Sequence, residues 1–373
     1  VEAIEKLDLE FIDKIFRDSV PYSGSLELTH RCNLTCRHCY QFSPRNEAEL
    51  DTGQWIKVME DLAAAGCLFL SFTGGEPLLR EDLPELIRAA AAMGYVLTLQ
   101  TNAVLLDAAF ARMLGELPTL RVDVSIYGAN PTTHDRFTGM DGSFAAARRA
   151  MELLRDNGVP LLLKVTVGGF NVDEVEDIAA LADSLGVKAR FSSLIFSRND
   201  RDTTPTRLRL DDAGLERFMR FETQYMLNNL GELMGVDVEG LAYEDLFGYL
   251  HKCAIDPTQV QSKNRRYCGG GRTAFAINPY GDVYPCIAFP LVVGNVLQDN
   301  IDDIWKNSQE LMHLRGQEDD LPLECKECSL LEKCAICRAL SFLEEGEIMA
   351  FSQERCRQTR TLVKVLKHEG SLS

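Results

Sequence analysis

Residues 26–39 read Leu-Glu-Leu-Thr-His-Arg-Cys-Asn-Leu-Thr-Cys-Arg-His-Cys, a short β-like run followed at once by three cysteines. The cysteines Cys32, Cys36 and Cys39 stand at C-x3-C-x2-C spacing. Three thiolates on one compact loop can hold three irons of a four-iron cubane, which takes four cysteines when complete. A site one ligand short keeps a coordination position open, as catalytic metal sites do. Close cysteine spacings also build zinc loops, and the loop alone does not choose between them.

Outward from this loop the chain repeats one pattern. Further β-like runs lie at 68–73, 96–100, 121–126, 161–167 and 189–195. Amphipathic stretches of helical length separate them at 53–65, 83–93, 107–117, 144–157 and 173–185. Gly66, Gly94, Gly158 and Gly186 each fall just past an apolar-periodic run, where a helix stops. Repeated strand-then-helix units predict a parallel sheet with helices outside. An open doubly wound sheet and a curved partial barrel both fit, and periodicity does not separate them. In either, functional groups gather at the C-terminal ends of the strands. The cysteine loop follows the first run, Gly-Gly-Glu-Pro (74–77) the second, Thr101 and Asn102 the third, and Ser125 ends the fourth. Residues 198–209 read as a loop and 211–230 as a helix. From about His251 the chain is rich in cysteine, glycine and turns, with too little apolar periodicity for an ordinary core, so metal is expected to supply part of its stability.

At 373 residues the chain exceeds the usual single domain, which allows a barrel with an appendage or two domains. A hydrophobic share of 46% supports a sizeable core, and a formal net charge of −17 argues against nucleic acid as the main partner. The longest apolar runs are too short to span a bilayer. Acidic Glu2, Glu5 and Asp8 do not form a secretory n-region, so a cytoplasmic location is expected. Of the 12 cysteines, three lie at 32–39, Cys67 stands alone, and the rest fall between Cys253 and Cys356. In a reducing compartment such clusters read as metal ligands, giving two metal-binding regions that flank a cysteine-free scaffold. Cys67, just past a helix stop, is expected to be a buried small hydrophobe. His38, between two thiols, is not expected to be a ligand.

The C-x3-C-x2-C loop, with Tyr40 after its last cysteine, resembles the signature of the radical S-adenosylmethionine superfamily. That resemblance implies a [4Fe–4S] cluster whose fourth iron chelates the amino and carboxylate groups of S-adenosyl-L-methionine. An electron from the cluster then gives a 5′-deoxyadenosyl radical that abstracts hydrogen from substrate. Gly74, Gly75, Glu76 and Pro77 match the family's GGEP motif, which binds the methionyl amino group. Ser125 matches a serine near the ribose hydroxyls, and Arg136 an arginine that pairs with the methionyl carboxylate. Asn102 and Thr166 are further candidates for cofactor contact.

The C-terminal cysteines read C-x12-G-x4-C from Cys268 through Gly281 to Cys286, then C-x2-C-x5-C-x2-C from Cys325 through Cys328 and Cys334 to Cys337, and finally Cys356. By themselves they suit paired zinc sites as well as iron–sulfur clusters. The pattern resembles the SPASM extension of the same superfamily, implying one or two auxiliary [4Fe–4S] clusters. By position, one would use Cys325, Cys328, Cys334 and Cys356. The other would use Cys268, Cys286 and Cys337, with Cys253 or an open iron completing it. The interval before Cys337 is one residue shorter than the family's. The implied architecture is α/β, a partial (β/α)6 barrel of parallel strands with a small C-terminal iron–sulfur domain, divided as 1–21, 22–235 and 236–373.

SPASM relatives mature ribosomal peptides, oxidise sulfatase residues or trim tetrapyrroles. The aspartate that acts as base in sulfatase-maturing relatives is Ile287 here, which counts against that activity. The Leu-Glu-Leu-Thr-His-Arg lead-in and the Ser-Ile-Tyr-Gly turn resemble those of peptide-modifying members, so a precursor peptide is the expected substrate. An electron donor such as flavodoxin or ferredoxin is implied. No peptide-docking segment is apparent before Cys32, so a separate leader-binding protein or the barrel surface would recognise the leader. The alternative is a haem-pathway tetrapyrrole enzyme. An electron carrier without radical chemistry would need no amino-acid clamp such as 74–77 and Arg136.

Overall fold

The computed structural model describes residues 11, 14–41, 45–117, 119–234, 269–316, 321–334 and 336–369. The strands β1 (Ser23–Thr29), β2 (Phe69–Gly74), β3 (Val96–Thr101), β4 (Leu120–Ile126), β5 (Leu161–Thr166) and β6 (Lys188–Ser192) are parallel, each paired with the next. Helices α1 (Thr52–Ala64), α2 (Leu83–Ala92), α3 (Ala108–Gly115), α4 (Pro131–Thr138), α5 (Ser143–Asp156) and α6 (Val175–Ser184) occupy the crossovers, and α7 (Asp212–Met234) follows β6. Each strand and long helix read from the sequence is present. The short helix α4 was not read. Asn130 caps it, accepting from Thr133 N at 3.1 Å, and Pro131 opens it, a start signal that its low apolar content obscures.

The parallel strands alternate. Leu26 and Leu28 of β1, Val122 and Val124 of β4, and Leu163 and Val165 of β5 join one core with the surrounding helices. The intervening positions carry Glu27, Asp123, Ser125, Lys164 and Thr166. Parallel strands covered on both faces are apolar throughout, so this alternation marks an inner face that is polar and ligand-facing. It selects the partial barrel over the doubly wound sheet. In cross-strand register, Ser125 lies opposite Lys164, and Lys164 opposite Arg190.

The C-terminal region adds to this sheet. Strand β7 (Ala274–Ile277) pairs parallel with β1, and β8 (Asp282–Tyr284) and β9 (Gly294–Asn295) continue antiparallel, in the order β6-β5-β4-β3-β2-β1-β7-β8-β9. The barrel is therefore open between β6 and β1. Beyond β9 come α8 (Ile301–Asn307), α9 (Gln309–Gly316), α10 (Leu323–Lys326), α11 (Arg338–Glu345) and α12 (Gln353–Glu369). Helix α12 packs on α7 at the β6 side, where Arg357 meets Asp212 at 3.1 Å and Lys364 meets Glu216 at 2.5 Å. Arg209, before α7, ties Ile195 O to Glu344 of α11. One C-terminal region thus holds both margins of the open barrel. Among the described residues, no helix is long and apolar enough to cross a membrane.

Candidate functional site

The cysteine loop leaves β1 at the barrel mouth and is braced from several sides. Gly75 N donates to Thr29 O at 2.7 Å and Glu76 N to Arg31 O at 2.8 Å. A Cβ on Gly75 would stand 2.2 Å from Arg31 O, so only glycine allows this clasp. Asn102 Nδ2 donates to Asn33 Oδ1 at 2.8 Å, Thr35 N to Thr138 O at 2.9 Å, and Asn199 N to Tyr40 O at 2.8 Å. Loops after β2, β3 and β6, together with the end of α4, therefore set where the three thiols stand.

Those thiols repel one another's ionisation. Burial pushes the Cys36 thiol up to about 12, with Cys39 and Cys32 adding to it. Burial also raises Cys32, with the nearby Glu76 and Cys39 contributing, and it raises Cys39, where Glu27 adds and Arg198 opposes. A cationic cluster relieves this repulsion, since ligand thiols bind deprotonated. Leu34 N points at Cys32 Sγ from 3.4 Å, the backbone donor that a ligating sulfur accepts. The donor set thus fits an iron–sulfur cluster.

Around the loop the expected cofactor positions take different roles. Glu76 is fully buried and accepts from Thr101 Oγ1 at 2.6 Å, Asn102 N at 2.8 Å and Leu78 N at 3.0 Å. Its carboxylate welds the ends of β2 and β3 together, although burial raises its pKa. Ser125, next to the last residue of β4, is half-buried, and burial raises the phenol of nearby Tyr127, with Cys36 adding to the effect. Thr166 ends β5, also half-buried. Arg136 lies on the exposed side of α4, whose buried residues are His134, Phe137 and Thr138. Tyr40 turns its hydroxyl to Glu27 Oε1 at 3.4 Å, where Gln41 Nε2 also donates at 2.7 Å. Burial raises the Tyr40 phenol, with the charges of Glu27, Cys39 and Cys286 adding, so this ring stands between the two cysteine regions.

The sequence sets His38 aside as a ligand, whereas it gave no reading of the inner-face residues Glu27 and Lys164. His38 packs its ring 4.9 Å from Tyr127 and 5.1 Å from Phe137, and burial lowers its pKa to about 4, so the ring is neutral. Together these rings line one side of the loop with aromatic surface. Glu27 is 3% exposed on the inner face of β1 and Lys164 occupies the inner face of β5. The alternation of polar residues along parallel strands was the signal that would have found both. Cys67 is buried, as expected.

In the C-terminal region, Cys325, Cys328, Cys334 and Cys356 line one cavity of about 210 Å³, walled by apolar Leu321, Ile348 and Phe351. Leu330 N approaches Cys328 Sγ at 3.4 Å and Thr359 Oγ1 approaches Cys334 Sγ at 3.5 Å. Four thiols on one apolar cavity, with donors aimed at sulfur, suit a cubane. Cys337, which position pairs with Cys286, is buried at the start of α11 and lines this same cavity. Cys286 follows β8, and Ala288 N approaches its Sγ at 3.5 Å. Cys253 and Cys268 lie outside the described residues. Among the described residues, no three His, Cys, Asp or Glu side chains gather to hold a single metal ion.

These features define an open β/α barrel with a three-thiol loop at its mouth and a second cysteine region joined to its sheet. The model of the radical SAM superfamily matches residues 26–182, and that of the SPASM iron–sulfur cluster-binding domain matches residues 268–329. AdoMet-dependent heme synthase of Methanosarcina barkeri is 28% identical over 87% of this chain and 93% of its own. PqqA peptide cyclase of Rhodopseudomonas palustris is 30% identical over 89% of this chain and 85% of its own. Streptococcus suis SuiB, solved with its precursor peptide SuiA, superposes with a TM-score of 0.70 at 17% identity, covering 91% of this chain and 76% of that one. The chain belongs to the radical SAM superfamily and carries a SPASM domain. It is an enzyme of S-adenosylmethionine and [4Fe–4S] chemistry.

Proposed function

We propose that the chain matures a ribosomally made precursor peptide, starting from hydrogen abstraction at the barrel mouth. The observation that carries this reading is the clasp of residues 74–76 on the cysteine loop, which holds the GGEP turn directly against the three-thiol loop. Cys32, Cys36 and Cys39 would hold three irons of a [4Fe–4S] cluster, and the fourth iron would take S-adenosylmethionine. A cluster held there would supply one electron to the bound S-adenosylmethionine. The backbone of 74–76 receives the methionyl amino group, because the Glu76 carboxylate is already engaged by three donors. Arg136 pairs with the methionyl carboxylate, Ser125 and Thr166 face the nucleoside, Asn102 holds the loop, and Tyr40 closes its far end. Cys325, Cys328, Cys334 and Cys356 hold one auxiliary cluster. Cys286, Cys268 and Cys337 belong to the other, with Cys253 as a candidate fourth ligand.

Similarity to PqqA peptide cyclase over most of both chains supports the peptide substrate. The match to a heme synthase, over 93% of that protein, favours a tetrapyrrole as the second reading. A plain electron carrier would not need the 74–76 clasp. A flavodoxin or ferredoxin would supply electrons, a separate protein would present the leader, and the setting is the cytoplasm. The division at 22–235 and 236–373 is kept as part of the proposal.

Anaerobically reconstituted protein should form 5′-deoxyadenosine from S-adenosylmethionine after reduction. No 5′-deoxyadenosine would sink the enzyme assignment. A mass change in a precursor peptide encoded beside the gene supports the first reading. A change only in a carboxylated tetrapyrrole transfers the assignment to the second.

A further inference from the structure

The lumen contains an ammonium group that the reaction described above does not use. Lys164 projects from the inner face of β5, across from Ser125 on one side and Arg190 on the other. Its Nζ donates to Gln100 Oε1 at 3.1 Å, and Gln100 Nε2 donates onward to Ser71 Oγ at 2.6 Å. That hydrogen bond goes to a neutral amide. The charged groups around Lys164 are Asp123, Arg121 and Arg190. Asp123, the carboxylate among them, is bound by Arg121 Nε at 2.7 Å. A lysine deep in a protein is ordinarily paired with an anion, because its charge is costly to desolvate.

The position is open to a ligand. Lys164 is half-buried and Thr166 beside it likewise, while Ser192, in register with Thr166 on the same face, is exposed. The C-terminal ends of β5 and β6 are therefore not closed over at Thr166 and Ser192, which is the side from which Lys164 can be approached. Burial lowers the Lys164 pKa, with Arg190 and Arg121 adding to the effect and Asp123 opposing it. An arriving anion would reverse that shift.

We propose that Lys164 is a substrate-binding residue whose ammonium receives a carboxylate of the substrate inside the barrel. The inference rests on the reading that Ser125 faces S-adenosylmethionine, since Lys164, its cross-strand neighbour, would then stand beside the nucleoside. A charge-assisted contact here would orient the substrate beside the abstracting group. The carboxylate has two sources, an acidic residue or C-terminus of a peptide, or a carboxyalkyl arm of a tetrapyrrole.

The test uses reconstituted holoprotein with S-adenosylmethionine, a small lysine-acetylating reagent and peptide mapping by mass spectrometry. Glutarate should protect Lys164 from acetylation while glutaramide, of the same shape without charge, should not. Equal acetylation with and without saturating glutarate overturns the proposal, as does a Lys164 that the reagent never reaches. A glutamate peptide against its glutamine twin, and a carboxyethyl porphyrin against its methyl ester, then separate the sources. The true class should protect at a concentration about tenfold or more below that of glutarate, a gain of about 1.4 kcal/mol. Assaying 5′-deoxyadenosine in the same preparation reports on the underlying reading independently. If it forms and glutarate gives no protection, only the role of Lys164 falls.

Discussion

Cys32, Cys36 and Cys39 hang from a loop whose neighbours are barrel: the ends of β2 and β3, the close of α4 and the segment after β6 all hydrogen-bond to it. Cys325, Cys328 and Cys334 sit instead among short turns around α10, a four-residue helix, and face a cavity closed by α12. The first set is held by a scaffold with its own apolar core, including the fully buried Trp55, Met59 and Leu62 of α1. Such side chains each contribute about 1.5–3 kcal/mol. The C-terminal region has more apolar core than its sequence predicts, with Leu311, Leu340 and Leu362 buried in the same cluster. The second set itself sits on short turns at the edge of that core. The comparison suggests that the barrel positions its metal, whereas metal positions the C-terminal turns.

The largest effect should come from replacing Cys32, Cys36 and Cys39 together with Ala. Formation of 5′-deoxyadenosine should cease while C-terminal iron persists, and loss of all iron would break the distinction between the regions. Next, anaerobic chelation of the wild-type protein should release amide protection around 323–334 in hydrogen exchange while leaving β1–β6 protected. Uniform release would mean that the barrel leans on its cluster too. Gly75→Ala should then lower turnover roughly a hundredfold through the clash with Arg31 O, because misplacement of about 1 Å has that cost. Melting of the barrel should shift little by comparison. Smaller still, Arg136→Ala should weaken S-adenosylmethionine binding about tenfold, the loss expected for one charge-assisted hydrogen bond. Unchanged affinity in a binding titration would remove Arg136 from the site.

The barrel was legible because its signals are local and periodic. Runs of β-like residues, helix-stopping glycines and motifs at strand ends placed Cys32, Glu76, Asn102 and Ser125 at one mouth before any contact was known. What stayed hidden depends on pairing between distant segments. Nothing near residue 274 announces that β7 will add to β1, since a four-residue strand carries little pattern. The neutral aromatic wall of His38, Tyr127 and Phe137 likewise joins residues that only the folded chain brings together. Cys337, which position assigns to the Cys286 set, is also among the residues that line the cavity of the other set, a closeness that its spacing does not announce.

The seam between the two regions offers the gentlest test. Glu222 on α7 faces Arg355 on α12, and burial pushes its carboxyl from an ordinary 4.5 up to about 8, with Arg355 opposing. A carboxyl whose folded pKa is raised favours the folded state in its protonated form. Its contribution is therefore fully present below the ordinary value of 4.5 and is lost as pH rises from there through about 8. Stability should decline across that window, by an amount set at this helix pair and not by the cysteine loop. Glu222→Gln keeps the size and neutrality of the protonated acid, so it should flatten the decline. Melting curves of holoprotein from about pH 5 to 8.5 would show it. An unchanged slope would mean that the α7–α12 contact does not limit stability, and that the barrel and its C-terminal region come apart elsewhere.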